Sequence, residues 1–125
     1  MDASGGPLAV NIGHGRKEIA EAAKRSLEKL SYVLPVFASE ARIELSKRIK
    51  TYMPEEFTRV YFCSGGSEAN EAAIKFARQY HVLSGKTSKY KVISRKLSYH
   101  GMTLATLSMS ILGDWVRDRL DPTLK

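Results

Sequence analysis

Arg59-Val60-Tyr61-Phe62-Cys63-Ser64-Gly65-Gly66-Ser67-Glu68-Ala69-Asn70-Glu71 is the stretch on which the fold turns. Val60 to Cys63 is a short apolar run, which predicts a buried strand. Ser64-Gly65-Gly66 is a tight small-residue turn, and a helix opens at Ser67. A strand feeding a glycine bend and a helix tip builds an anion site. The glycines let the backbone approach a ligand closely, and the first N–H groups of the helix lack intrahelical acceptors. The helix dipole adds about half an elementary positive charge there. Ser67 either caps the helix or donates its hydroxyl to a phosphate oxygen. The turn alone leaves two readings open: a bound phosphate, or a capped helix with no ligand.

Downstream, the helix runs from Ser67 to about Val82. Ala69, Ala72, Ala73, Phe76, Ala77 and Tyr80 form a small-residue face that allows close packing on a sheet, and Lys75 and Arg78 read as solvated. Ser84 to Ser88 is a polar turn, and Tyr90 to Ser94 is a second predicted strand. Leu97-Ser98-Tyr99-His100-Gly101 leaves the strand region, and Met102 to Met109 has helical spacing. Upstream, Pro54 stops a helix that reaches from a Ser39 N-cap to about Tyr52, with Ala41, Leu45, Arg48 and Ile49 on its inner side. An earlier amphipathic helix spans Arg16 to about Leu30, with Ile19, Ala23, Leu27 and Leu30 on one face. Ser31 to Ala38, broken by Pro35, is a crossing segment, and residues 3–15 are glycine-rich and open. The order helix, helix, strand, helix, strand, helix predicts an α/β layer architecture with a mainly parallel sheet. Two strands are too few to complete such a sheet.

The totals exclude several functions. No apolar run among the 125 residues approaches the roughly 20 needed for a membrane span. The first residues lack the basic and apolar regions of a signal peptide. The single cysteine, Cys63, rules out an internal disulfide and fits a reducing, cytoplasmic setting. The net charge of +7 comes from Lys and Arg scattered among Glu residues, as in Arg16-Lys17-Glu18, and forms no nucleic-acid-binding stripe. His14 sits between glycines with no second His or Cys near it, so no metal site is expected. Gly85-Lys86-Thr87 resembles the end of a P-loop, but Tyr80 stands where that motif needs its first glycine. The tripeptide also follows a helix instead of preceding one.

Taken together, the segments Phe62 to Glu71, Ser98-Tyr99-His100-Gly101-Met102-Thr103 and Asn11-Ile12-Gly13-His14-Gly15 resemble those of class III aminotransferases. These are pyridoxal-phosphate enzymes of fold type I, including ω-amino acid, ornithine and 4-aminobutyrate transaminases. The resemblance covers Asp2 to Ser110. It implies that Gly66 and Ser67 hold the phosphate of pyridoxal 5'-phosphate and that Tyr99 stacks on its pyridine ring. His100 is implied to line the pocket. Read from the residues alone, a core tyrosine is the lesser reading of Tyr99, and a structural histidine is an equal reading of His100. Gly101 would supply backbone room, and Tyr32 would border the substrate pocket.

The resemblance further implies amino-group transfer between an amine or amino acid and a keto acid, in an enzyme that is a cytoplasmic homodimer when intact. It requires a lysine bonded to the cofactor and an aspartate on the pyridine nitrogen. Neither context occurs here, and Lys75, Lys86 and Lys96 stand in the wrong settings, so no catalytic residue is assigned. The expected organisation is an N-terminal segment with the first helix (1–35), the first part of the cofactor-binding large domain (36–110), and a divergent, poorly ordered tail (111–125). The sequence thus reads as an N-terminal fragment, inactive alone. The alternative is a non-catalytic piece that pairs with full-length family subunits.

Overall fold

The computed structural model describes Gly5 and residues 9–110. The expected tail, 111–125, lies outside the described residues. The chain divides into two compact units, Met1–Arg59 and Val60–Lys125.

The first unit carries two helices, α1 (Lys17–Lys29) and α2 (Glu40–Lys50), close to the bounds expected from sequence. Helix α2 begins where predicted, because the Ser39 hydroxyl accepts the Arg42 N–H at 3.3 Å and satisfies one orphan donor of the first turn. The inner face differs from the expected one. Arg42, Ser46 and Ile49 are the half-buried positions, while Ala41, Leu45 and Arg48 are exposed. Arg42 accounts for the rotation. Its guanidinium donates to the Pro35 and Phe37 carbonyls at 3.2 and 3.0 Å and gathers the crossing segment over that side. Lys29 at the end of α1 pairs with Glu40 at the start of α2, and this hydrogen bond holds the Glu40 carboxyl below its ordinary range. Arg16 does the same to Glu18. Neither helix has a buried residue.

The second unit holds α3 (Gly66–Leu83) and the short α4 (Leu104–Ser108). Gly85, at φ +72°, ends α3. The Gly85 N–H donates to Val82 and the Lys86 N–H to His81 at 3.0 and 2.8 Å, a glycine-terminated C-cap. The tripeptide that mimics a P-loop is therefore a helix stop. Arg78 is exposed as expected, and its Nε donates to the Tyr90 carbonyl at 3.1 Å. Tyr61 packs edge-on against Phe76 of α3, with ring centroids 5.6 Å apart.

The predicted parallel sheet is absent among the described residues. Val60–Cys63 and Tyr90–Ser94 carry the right residues for strands, yet neither forms a ladder hydrogen bond with the other. Strand geometry is stabilised by neighbours on both edges and by cover on both faces, and two segments supply neither. Ile93 accordingly stands 98% exposed. Buried side chains gather instead where α4 meets the turn before it: Thr106 is 0%, Ser110 7% and Leu107 9% exposed.

Candidate functional site

The site is built around the N-terminus of α3. Gly65 is the N-cap, in an extended conformation with no side-chain cap, and the helix starts at Gly66. Ser67 therefore sits in the first turn and does not cap it. The first intrahelical bond runs from the Ala69 N–H to the Gly65 carbonyl at 3.0 Å. Among the described residues, the N–H groups of Gly66, Ser67 and Glu68 donate to no backbone carbonyl, as the geometry of a helix start requires. A Cβ added at Gly65 or Gly66 would meet nothing within 4 Å, so the approach to these donors is open. Glu68 brings a negative charge into the same turn, but its Oε2 is turned back to accept the Ser64 N–H at 2.9 Å.

Ser67 has another partner. Its Oγ accepts the Met102 N–H at 3.1 Å, from a residue 35 positions away. A hydroxyl has two acceptor lone pairs and one proton. The bond from Met102 uses a lone pair and leaves the proton for a further acceptor beside the three helix N–H groups. Gly101 makes this approach possible. Its φ is +135°, and a Cβ there would stand 2.5 Å from Ser67 Oγ and 2.6 Å from Thr106 Oγ1. Only glycine fits.

The turn from Ser98 to Met102 is held by side chains. Asn70 Nδ2 donates to the His100 carbonyl at 2.7 Å. The His100 N–H donates to Ser110 Oγ at 2.9 Å, and that hydroxyl lies 2.8 Å from the Thr106 carbonyl, to which it donates. Glu71 Oε1 accepts the Ala105 N–H at 3.2 Å, and Thr103 and Thr106 form a capping box at the start of α4. The Ser98 hydroxyl donates to the Arg95 carbonyl, so its contact of 2.9 Å with His100 Nε2 is donated by the ring. In the neutral ring, Nδ1 of His100 is then the acceptor.

Of the four residues expected at the site, Gly66, Ser67 and the His100 backbone belong to this one corner. Tyr99 directly precedes the clamped His100 peptide, and its side chain is 65% exposed. Sequence reasoning missed Asn70, Glu71, Thr106 and Ser110. For the first two a signal existed. Ser67, Asn70, Glu71 and Ile74 recur at helical spacing and form one face, so two polar side chains beside an alanine-rich face mark a polar contact instead of a sheet. Elsewhere in this unit, α3 and residues 88–93 line a groove in which His81 Nδ1 is buried without a partner. Among the described residues no cluster of three or more metal-ligating side chains occurs, and no helix is long and apolar enough to cross a membrane.

Comparison with known proteins follows the same lines. A family model described as aminotransferase class-III matches residues 1–124. A probable aminotransferase of Mycobacterium tuberculosis is 46% identical over 111 residues, covering 88% of this chain and 24% of that protein. An uncharacterized aminotransferase of Bacillus subtilis is 47% identical over 109 residues, covering 86% and 24%. Among solved structures, a transaminase from the marine bacterium Virgibacillus superposes with a TM-score of 0.78 at 40% identity, over 85% of this chain and 24% of that one. An amine transaminase from an uncultivated Pseudomonas species, in its PLP-bound form, gives 0.84 at 32% identity, over 96% and 28%. The chain spans about a quarter of the length of the curated relatives it matches.

Proposed function

The chain belongs to the class III aminotransferase family, and from that premise we propose that it provides the phosphate-binding corner of a pyridoxal-phosphate site. One observation carries the reading. The Ser67 hydroxyl is engaged as an acceptor by the Met102 N–H and so keeps its proton, next to three helix N–H groups that donate to no backbone carbonyl among the described residues. Together they make a concentrated donor set with an unobstructed approach, which suits a phosphate dianion. The dipole of the 18-residue α3 adds to it.

In this reading Gly66 and Ser67 bind the phosphate. Tyr99 lies against the pyridine ring, and His100 borders the pocket with Nδ1 as its acceptor. The bound cofactor supplies an electron sink that lets an amino group pass between an amine or amino acid and a keto acid. The residues of this chain bind and orient it. None of them matches the lysine and aspartate contexts that the chemistry requires, so the 125-residue chain alone carries no turnover. The intact enzyme would be a cytoplasmic homodimer of fold type I, with the helices of residues 36–110 covering part of its large domain. The test uses the purified chain. Pyridoxal 5'-phosphate should bind about tenfold or more tighter than pyridoxal, a difference of about 1.4 kcal/mol held by the phosphate. With an amino donor and pyruvate added, no alanine should form. Equal affinity for the two vitamers contradicts the phosphate assignment, and alanine formation contradicts the assignment of no catalytic group.

A further inference from the structure

The peptide groups that follow Tyr99 are held in an unusual way. The His100 N–H is taken by Ser110 Oγ, the His100 carbonyl by Asn70 Nδ2, and the Met102 N–H by Ser67 Oγ. Among the described residues, no backbone–backbone hydrogen bond joins residues 98–102 to any other segment. A turn without such bonds has little intrinsic rigidity, so its conformation depends on the side chains that grip it. Two of the three lie on α3, Ser67 in its first turn and Asn70 a single turn beyond, and Asn70 is the one that grips the peptide after Tyr99. It ties the turn to the same helix that presents the phosphate donors.

We propose that Asn70 is a positioning residue for the cofactor site, resting on the function inferred above. Its carboxamide fixes the His100 carbonyl, and through that peptide it sets where Tyr99 stands relative to the helix tip. Ser110 grips the same peptide from the other side. The phosphate donors and the ring-facing residue are thereby held in one register by a side chain that touches neither phosphate nor ring. The carboxamide is suited to this because it donates without carrying charge. A carboxylate at the same position would face the His100 carbonyl with only acceptors.

The test compares the chain with its Asn70→Ala, Asn70→Asp and Ser110→Ala variants, using pyridoxal 5'-phosphate and inorganic phosphate as probes. Losing one hydrogen bond of this kind corresponds to about tenfold at most in affinity. The Asn70 variants should bind pyridoxal 5'-phosphate several-fold more weakly and lose most of its induced circular dichroism, while their affinity for inorganic phosphate stays near that of the parent. Amide exchange at Met102 in the ligand-free chain should quicken, with the far-ultraviolet helix signal unchanged. Ser110→Ala should show the same split and serves if the Asn70 variants fail to fold. Variants that bind the cofactor with the parent's affinity and dichroism overturn the positioning role. So does equal weakening toward both probes, which marks a general loss of structure. A parent chain that binds inorganic phosphate but shows no preference for pyridoxal 5'-phosphate overturns the function on which the inference rests. The Met102 exchange rate reports on the clamp in either case, and no change there on Asn70→Ala refutes the clamp itself.

Discussion

The two units of this chain hold themselves together by different means. In the first, α1 and α2 have no buried residue, and their tertiary link is the exposed pair of Lys29 and Glu40 with the grip of Arg42 on the Pro35–Phe37 turn. In the second, the corner between α3 and α4 buries Thr106, Leu107 and Ser110 and ties residues 35, 34 and 30 positions apart with single hydrogen bonds. Exposed ion pairs contribute little, because water screens them and two long side chains must be ordered. Hydrogen bonds inside a packed corner are hard to replace, since a buried donor left without a partner costs about 1–3 kcal/mol. Local order in the first unit comes from helix chemistry, and in the second from tertiary fit.

The largest effect that separates the two regions is expected at Gly101. Gly101→Ala puts a methyl group into Ser67 Oγ and Thr106 Oγ1 and also strains a backbone at φ +135°. It should cost about 2–4 kcal/mol in the corner. Amide exchange of residues 98–110 should speed up strongly while that of α1 and α2 stays as it was. A uniform change across the chain would break the distinction between the units.

A middle-sized effect belongs to the first unit. Ser39→Ala removes the N-cap of α2 and should cost about 1 kcal/mol of helix stability, read as lost helical circular dichroism and faster exchange in residues 40–44. The corner should not respond. The smallest effect is one of pH. Glu40 is held below the ordinary carboxylate range by its hydrogen bond to Lys29, so its contribution is present above the unfolded value and is lost as pH falls through the folded one. Lowering pH from 6 toward 3 should loosen α2 slightly, and Lys29→Ala should abolish that dependence. Because Glu40 is fully exposed, the change should be small and should fade in high salt.

The same contrast explains what the sequence disclosed. The four helices from Lys17 to Ser108 among the described residues were legible within a few residues, since caps, periodicity and the Pro54 stop are local signals. The glycine turn and helix tip were legible because Gly65-Gly66-Ser67 is contiguous in sequence. The inner face of α2 was misread because Arg42, a charged residue, turned inward to hold two carbonyls. The sheet was anticipated from apolar runs at Val60–Cys63 and Tyr90–Ser94, yet strand formation depends on partners that those runs do not name. Asn70 and Ser110 stayed hidden for a related reason: each is ordinary in its own helix or turn, and its role appears only when it reaches the His100 peptide.

The central claim is that the helix tip at Gly66–Ser67 receives the phosphate of a vitamin B6 cofactor, and amide chemical-shift mapping tests it most directly. On titration with pyridoxal 5'-phosphate, the amides of Gly66, Ser67 and Glu68 should shift together and saturate, with Met102 following through its bond to Ser67 Oγ. Ser67→Ala should weaken that response about tenfold. Shifts confined to other segments, or a response unaltered by Ser67→Ala, would contradict the account.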